Sequence, residues 1–413
     1  MHILAINQFY APDLSATAQL LTDLCEDLVR VGDRVTVVAS RGTYLGGDRL
    51  PAHETLRGVE VRRPWATSLG KRTAADRLTD YATFGASALW EVARVARPDV
   101  LLTLTTPPMI AAGAAVVARA RKVPLVTWIQ DVYPEVAVAF GVLPPAHLAT
   151  RALKFAARAS HRAATLGVVL SDGMAERVVA QGQPRARLRV IPNWADGAWL
   201  TPVAREDNTF RREHGLVDRF VAMYSGNLGA GHELQPFIEV ARSVERSRPE
   251  IAFVFVGEGV RRAAAELSAR GLTNVRFLPY QPRERLAESL SAADLHLASL
   301  QEGLAGLLVP SKLYGILAVG RPLLYLGPAT CEVSQVIARD DLGWQVRPGD
   351  VDGIVKALLA AASDRPATSA KGARARAVFL QRYDRPHALL RWRSVLTEAV
   401  SGKAQRDSFP VPG

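Results

Sequence analysis

Apolar residues in the first half of the chain form short continuous runs, separated by longer stretches with helical spacing. Residues 3–7 and 34–39 predict strands buried on both faces, and residues 18–31 between them predict a helix that ends at Gly32. The pattern continues with predicted strands at 100–104, 125–129 and 166–170 and a predicted helix over 109–122. Buried strands that alternate with helices are typical of a parallel sheet in a doubly wound α/β domain.

The same alternation returns in the second half of the chain, after a polar stretch that ends near residue 219. Its predicted strands are 220–224, 251–256, 275–277, 295–299 and 322–325, and its predicted helices are 234–246, 260–270, 282–292, 311–319 and 351–361. We therefore expect two doubly wound, Rossmann-like domains, residues 1–200 and 201–384. Residues 385–400 predict a further helix whose apolar side needs a surface, and residues 401–413 predict a disordered tail.

Two such domains suggest where ligands bind. In open α/β sheets, ligands lie beyond the carboxyl ends of the strands. Two domains that face each other would bring these ends to a central cleft, which favours an enzyme with two substrates over a simple binding module.

The amino-acid composition limits which kinds of protein this chain can be and which kinds of partner it is expected to bind. The 413 residues are 48% hydrophobic and 22% charged, as in soluble globular proteins, and two cysteines exclude a disulfide scaffold. The net charge of +11 favours an anionic partner: nucleic acid, anionic lipid or a phosphorylated small molecule. The first residues resemble no signal peptide. The uncharged stretch 100–118, interrupted by Pro107 and Pro108, predicts a buried strand and helix rather than a membrane span.

A glycine-rich loop follows the predicted strand 220–224. Gly226, Gly229 and Gly231 stand between this strand and a predicted helix. Glycines there let the backbone approach a phosphate, and the helix N-terminus offers unpaired N–H groups. The alternative is a tight turn that needs positive φ at one or two positions.

A lysine opens another predicted helix at residues 311–319. Pro310 and Ser311 precede it, with Ser311 as the expected cap, so Lys312 falls in the first turn. A cation is electrostatically unfavourable at that end unless an anion lies beside it. Lys312 therefore indicates an anion site, or else it is a solvated lysine after a capping turn.

Polar residues gather after two predicted strands of the first domain. Gln130, Asp131 and Glu135 follow the strand at 125–129, where they could serve a hydroxyl-bearing acceptor or a cation, or cap the next helix. Asp13 and Ser15 lie in the loop after the first strand, a position where a phosphate often rests.

Four basic residues share one face of a predicted helix. Their spacing is three, four and four residues: Arg151, Lys154, Arg158 and Arg162. With Leu148, Leu153 and Phe155 as an apolar side, such a helix can rest on an anionic membrane surface; the alternative is a solvated outer face. Nothing in the sequence matches a nucleic-acid-binding motif, so we expect no nucleic-acid partner.

Several motifs, taken in order, resemble one enzyme family. They are Phe9-Tyr10-Ala11-Pro12-Asp13, Gln130-Asp131-Val132-Tyr133-Pro134-Glu135, Ile191-Pro192-Asn193, Ser225-Gly226-Asn227-Leu228-Gly229, Phe255-Val256-Gly257-Glu258-Gly259 and Val309-Pro310-Ser311-Lys312. Over residues 1 to about 400 the chain resembles GT-B-fold retaining glycosyltransferases of the group 1, or family 4, type. It is most similar to the WbuB/WcaI-like branch that assembles bacterial exopolysaccharide and O-antigen repeat units.

The resemblance implies a donor site in the second domain, where a nucleotide-sugar, expected to be a UDP-sugar, would bind. It places the donor diphosphate near Gly226, Asn227 and Gly229, with Ser311 and Lys312 beside it, and the nucleoside near Glu258 and Tyr280. It also implies that residues 385–400 cross back to pack on the first domain.

For the first domain, the resemblance implies an acceptor site. The acceptor would be a lipid-diphosphate-linked saccharide at the inner face of the cell membrane, near Asp13, Ser15, Gln130 and Glu135. Asp131 would orient its hydroxyl, so Asp131 and Lys312 are the catalytic candidates. No metal ligand set and no further cofactor are expected.

Several positions depart from the family pattern, among them Ser15 and Ala16 in place of a usual pair of glycines and Gln130 in place of a usual histidine. Asn227 and His232 stand where many relatives carry diphosphate-binding cations, and Gly315 stands where a glutamate is usual. Two alternative functions follow: a UDP-sugar 2-epimerase on the same fold, or a non-catalytic nucleotide-sugar-binding subunit.

Overall fold

The computed structural model describes residues 1–44, 46, 49–70 and 73–402. The chain divides into two compact units. The first comprises Met1–Pro192 and the segment from Ala388 onward, and the second is Asn193–His387. Each unit contains one open sheet with helices on its faces, as the alternating pattern predicted.

The first unit is built on an eight-stranded sheet. Its strands are β1 (His2–Ile6), β2 (Arg34–Val38), β3 (His53–Leu56), β4 (Val59–Arg62), β5 (Val100–Thr103), β6 (Leu125–Trp128), β7 (Leu166–Val169) and β8 (Leu188–Val190). Their order is β3-β4-β2-β1-β5-β6-β7-β8, and only β3 runs antiparallel to its neighbour. The strand order reverses between β1 and β5, so ligands are expected at the loops after those strands.

Six helices of the first unit connect these strands. They are α1 (Ala16–Arg30), α2 (Ala74–Arg94), α3 (Ile110–Arg121), α4 (Glu135–Ala139), α5 (Leu148–Ala163) and α6 (Asp172–Ala180). The uncharged stretch 100–118 is β5 followed by most of α3, as predicted. Across the described ranges, the structure contains no helix that combines the length and the apolarity needed to span a bilayer.

The second unit is built on a six-stranded parallel sheet. Its strands are β9 (Phe220–Ser225), β10 (Ile251–Val256), β11 (Val275–Leu278), β12 (Leu295–Ser299), β13 (Leu323–Leu326) and β14 (Gly343–Val346). The order β11-β10-β9-β12-β13-β14 reverses between β9 and β12. The glycine-rich loop follows β9, so it lies at this reversal, where ligands of such sheets bind.

The helices of the second unit cover both faces of this sheet. They are α7 (Thr209–Glu213), α8 (Gln235–Val244), α9 (Arg262–Ser268), α10 (Leu286–Ser291), α11 (Lys312–Ala318), α12 (Glu332–Asp340), α13 (Val351–Ser363) and α14 (Arg365–Val378). Phe237 and Leu358, from two of these helices, join Phe253 and Leu297 of the strands in one buried cluster. This core holds the strand ends that carry the candidate donor loops.

The boundary between the units lies at residue 192 rather than at the predicted residue 200. Residues just after Pro192 pair with the end of the second unit: Ala195 forms a β-bridge with Asp384, and Gly197 donates its backbone N–H to the Asp384 carboxylate at 2.9 Å. These contacts assign the segment to the second unit.

The last helix, α15 (Arg385–Ser401), buries its apolar side in the first unit. Trp392 packs against Trp128 at the end of β6, with ring centroids 4.5 Å apart, and Arg189 of β8 donates to the Glu398 carboxylate at 3.1 Å. Of the predicted tail 401–413, Ser401 ends α15, and residues 403–413 lie outside the described residues.

Candidate functional site

Two glycine-containing loops of the second unit pack directly on each other. Gly226 donates its backbone N–H to Val256 and Leu228 donates to Glu258, both at 2.9 Å. A Cβ at Gly257 or Gly259 would overlap the carbonyl group of Gly226 or Leu228. Since Gly226, Gly257 and Gly259 also have φ values of +123°, +134° and +157°, glycine is favoured at these positions by backbone conformation as well.

Gly229 needs no positive φ, and its role is steric. A Cβ there would crowd the exposed side chain of Asn227, whose amide also lies beside Gly259. The turn explanation therefore accounts for Gly226 but not for the whole glycine-rich loop.

Lys312 places a buried ammonium group beside this loop. Its Nζ has no hydrogen-bond partner among the described residues, and it lies 3.5 Å from the centroid of the Tyr224 ring. A Cβ at Gly226 would be 3.7 Å from its Cε, so the ammonium group is adjacent to the loop backbone. Burial holds the pKa of Lys312 well below its usual value. A buried ammonium without an acceptor is costly, and a bound anion would relieve that cost.

Ser311 differs from its predicted role. It stands at the N-cap of α11, but its backbone is already helical (φ −65°, ψ −20°) and its side chain makes no capping bond. A capping side chain needs an extended backbone to reach the N–H groups of the first turn, so the cap expectation is wrong. The Ser311 side chain is exposed beside Lys312.

The two residues expected near the nucleoside lie side by side. Tyr280 donates its hydroxyl to the carbonyl oxygen of Glu258 at 3.4 Å, and its ring edge lies against Gly257. The Glu258 carboxylate is exposed and pairs with Arg262 at 2.5 Å. The second unit thus brings the predicted donor residues together: Gly226, Asn227, Gly229, Glu258, Tyr280, Ser311 and Lys312.

Two further residues of this region were not singled out as donor contacts from the sequence. His232 donates from Nδ1 to the Ser299 carbonyl oxygen at 2.6 Å, because a carbonyl can only accept. Burial, and next the positive charge of Lys312, lowers the pKa of His232 to about 3, so its ring is neutral. Arg261 donates from Nε and Nη2 to the Ala230 carbonyl oxygen at 3.1 and 3.0 Å.

Asp131 is the most unusual carboxylate of the first unit. No described residue donates a hydrogen bond to it, and burial raises its pKa to about 6. Its backbone N–H, like that of Gln130, faces the Thr105 hydroxyl, at 3.4 and 3.3 Å respectively. Burial, and next the charge of Asp131, raises the pKa of Tyr133.

The carboxylates of two other predicted acceptor residues accept hydrogen bonds from nearby parts of the first unit. The Asp13 carboxylate accepts the backbone N–H of Ser15 at 2.7 Å and that of Tyr44. Ser15 begins α1 without a side-chain cap. The Glu135 carboxylate accepts from the Gln181 amide. Asp13 and Glu135 therefore fix loop conformation, a role that their sequence positions alone do not distinguish from substrate contact.

The basic stripe of α5 shares its face with two exposed apolar side chains. Leu148 and Phe155 are each 75% exposed, and Arg151, Arg158 and Arg162 are exposed beside them at helical spacing; Lys154 is half-buried. The inward side of α5 carries small or polar residues instead: Thr150, Ala157, Ser160 and His161. The expectation that Leu148 and Phe155 form a separate apolar side is wrong.

Comparison with known proteins identifies the family. A family model for glycosyl transferase 4-like domains matches residues 16–194, and one for glycosyl transferases group 1 matches residues 219–364. The chain belongs to the group 1 glycosyltransferases.

Two bacterial relatives of this chain are themselves named as glycosyltransferases. It is 30% identical over 266 residues to the probable glycosyltransferase WbjE of Pseudomonas aeruginosa, covering 62% of this chain and 64% of WbjE. It is 26% identical over 375 residues to the putative colanic acid biosynthesis glycosyl transferase WcaI of Escherichia coli K12, covering 87% and 91%.

The fold of this glycosyltransferase matches solved structures. The crystal structure of HepE from Anabaena in complex with UDP and glucose superposes with a TM-score of 0.70 at 15% identity, over 96% of this chain and 100% of HepE. The expectations of a GT-B fold and of similarity to WcaI are confirmed. Similarity to WbuB and retention of configuration stay predictions.

The departures from the family pattern are visible at the donor loops of this glycosyltransferase. Asn227 and His232 are both uncharged, and Gly315 lies one turn after Lys312 on α11. Gln301 donates its backbone N–H to the Gly231 carbonyl oxygen at 3.1 Å, so the next residue, the exposed Glu302, starts its turn beside the glycine-rich loop. Within the described residues, Lys312 is therefore the one cation whose charged group is buried at this loop.

Proposed function

We propose that this glycosyltransferase moves a sugar from a UDP-sugar to a hydroxyl of a lipid-diphosphate-linked saccharide, with retention of configuration, in exopolysaccharide or O-antigen assembly. The proposal of a nucleotide-sugar donor rests on the buried ammonium group of Lys312, which lies beside Gly226 and has no hydrogen-bond partner among the described residues. A diphosphate supplies the negative charge that this group lacks, and the glycine-rich loop leaves backbone close to it.

The choice of UDP and of the biosynthetic route rests on the relatives. HepE was solved with UDP and glucose, and WcaI is named for colanic acid biosynthesis. Tyr280 and Glu258, held together at the edge of the donor loops, are the proposed nucleoside contacts.

The proposed chemistry uses charge and orientation without a metal ion. Lys312 stabilises the charge that develops on the leaving diphosphate, in a site where burial strengthens electrostatic interactions. Asp131 accepts a hydrogen bond from the attacking hydroxyl and orients it, since its carboxylate has no other donor in the described structure. The acceptor proton passes to the leaving phosphate, and the hydroxyl attacks on the face of the sugar from which that phosphate departs.

Nucleotide binding tests the donor half. Lys312→Ala should weaken UDP binding in calorimetry by about 1.5–3 kcal/mol, or about 10- to 150-fold in Kd, the value of a charge-assisted hydrogen bond. Lys356→Ala, an exposed lysine of the same unit, is the matched control and should bind as wild type. Unchanged UDP affinity in Lys312→Ala would place the diphosphate elsewhere.

Product analysis separates the alternatives. Incubation with UDP-sugars and a polyprenyl-diphosphate saccharide should yield UDP and an extended lipid, in the presence of EDTA as well as in its absence. Formation of an epimer without acceptor would instead identify a 2-epimerase, and binding without any donor hydrolysis or transfer would identify a non-catalytic subunit.

We further propose that α5 attaches the enzyme to an anionic membrane surface. Arginines and the exposed Leu148 and Phe155 on one face combine attraction to lipid headgroups with apolar insertion, and each basic residue near such a surface contributes about 1 kcal/mol. This arrangement would bring the enzyme to a lipid-linked acceptor at the inner face of the cell membrane.

Liposome sedimentation tests the membrane half. Changing Arg151, Lys154, Arg158 and Arg162 to Gln should abolish salt-sensitive pelleting with anionic vesicles. Leu148→Ser with Phe155→Ser, introduced into the wild-type chain, should weaken pelleting by removing the apolar insertion. The control changes four exposed basic residues of the second unit, Arg246, Arg270, Arg347 and Lys356, to Gln and removes the same charge. Equal pelleting of the α5 variant and the control would remove the role of this helix.

A further inference from the structure

Arg261 is bound to the glycine-rich loop although it belongs to the loop after β10. Its backbone N–H donates to the Leu228 carbonyl oxygen at 3.0 Å, and its guanidinium donates twice to the Ala230 carbonyl oxygen, at 3.1 and 3.0 Å. Three bonds to two residues of one loop fix both the backbone and the charged end of this side chain.

The guanidinium of Arg261 keeps its charge and most of its donors. Its neighbour Arg262 is neutralised by Glu258 at 2.5 Å and Glu266 at 2.8 Å, whereas Arg261 forms no ion pair within the described part of the chain. A guanidinium has five N–H donors, and the two bonds to Ala230 leave three of them available on an exposed side chain.

Two positions of the glycine-rich loop near Arg261 that could carry a cation for a diphosphate are uncharged in the described structure. Asn227 is neutral, and His232 is neutral because burial and the positive charges of Lys312 and Arg261 lower its pKa to about 3.

We propose that Arg261 is a second diphosphate-binding cation, which holds the donor phosphates from the exposed side of the glycine-rich loop while Lys312 holds them from the buried side. This inference rests on the proposed donor site. Arg261 would supply, from the loop after β10, a positive charge that the glycine-rich loop does not carry. Gly257 and Gly259 allow these two loops to approach closely enough for this. A guanidinium can bind a phosphate through two parallel bonds, which also orients it.

The test compares ligands that differ only in phosphate. Calorimetry with uridine, UMP and UDP should show that Arg261→Gln raises the Kd for UDP about tenfold and leaves the Kd for uridine unchanged. Arg261→Lys, which keeps the charge, should recover part of the UDP affinity. Arg270→Gln, an exposed arginine of the same unit, should bind all three ligands as wild type.

The outcomes separate this inference from the proposed function. If Lys312→Ala loses UDP affinity and Arg261→Gln does not, the donor site stands and the role of Arg261 is overturned. If neither variant changes UDP affinity, the proposed donor site itself fails. If Arg261→Gln weakens uridine and UDP equally and lowers the melting temperature, Arg261 only supports the loop, which also overturns the proposal.

Discussion

The charged side chains at the candidate sites differ between the two units in whether they are hydrogen-bonded to the protein. In the first unit, Asp13 and Glu135 accept hydrogen bonds from neighbouring loop residues, so their charge is used to hold the loops. In the second unit, the ammonium group of Lys312 is buried beside the face of Tyr224 and has no hydrogen-bond partner among the described residues. A buried charge that is bonded contributes to the fold, whereas one that is not bonded is costly to the free protein and is explained best by a ligand.

Asp131 is the counterpart of Lys312 in the first unit. Its carboxylate too has no donor among the described residues, and burial shifts its pKa toward the neutral form. The comparison therefore supports a hypothesis with two kinds of site residue: Asp13 and Glu135 hold the loops, and Asp131 and Lys312 are the proposed substrate contacts. Three measurements test this separation.

The largest expected effect is on the rate of transfer by Asp131→Asn. Because an amide oxygen is a weaker hydrogen-bond acceptor than a carboxylate, the attacking hydroxyl is oriented less well, and kcat should fall by about 10²-fold. The Kd for UDP should remain that of wild type, since Asp131 belongs to the acceptor side. Steady-state kinetics with a lipid-linked acceptor measures the rate, and Asp172→Asn, an exposed aspartate of the same unit, is the control. Full activity in Asp131→Asn would end its catalytic role.

The second effect is on stability and has opposite signs for the two kinds of residue. Asp13→Asn should lower the free energy of unfolding by about 1–3 kcal/mol, because it weakens the bonds from Ser15 and Tyr44. Asp131→Asn and Lys312→Met should each raise the melting temperature at pH 7, because burial disfavours the charged form of each side chain and neither has a hydrogen-bond partner among the described residues. Calorimetric melting of the three variants, each of which lacks one charged group, measures these changes in stability. A loss of stability in all three would contradict the distinction between hydrogen-bonded and unbonded charged residues.

Part of this picture could be predicted from the sequence. The alternation of apolar runs and helical stretches predicts both sheets, and the order of strands then places Gly226 and Lys312 at one end of the second sheet. The position of Lys312 in the first turn of a helix favours an anion site, because a cation is unfavourable at that end of the helix dipole, but it leaves a solvated lysine as the alternative.

Other features depend on contacts that no local pattern reports. The hairpin of β3 and β4 is absent from the sequence-based prediction because its strands are short and partly polar, and Arg57 at its turn has a positive φ that favours glycine or asparagine. The bond between Arg261 and Ala230 joins positions 31 residues apart. Likewise, Asp13 and Asp131 both follow strands, and only their hydrogen bonds tell them apart.

The smallest of the three effects is the pH dependence of transfer. If the ionised Asp131 is required, kcat should fall about tenfold per pH unit below its pKa of about 6 and level off above pH 7. The change of folding stability with pH has the opposite sign to that for a hydrogen-bonded carboxylate whose pKa is lowered. The pKa is raised from 3.8 to about 6, so between these values the folded protein binds more protons than the unfolded chain, and stability from this group falls as pH rises. In Asp131→Asn, this dependence of stability on pH should disappear, and the residual activity should no longer fall at low pH. If the fall of kcat at low pH persists in Asp131→Asn, another group causes it, and Asp131 has no part in the pH dependence of transfer.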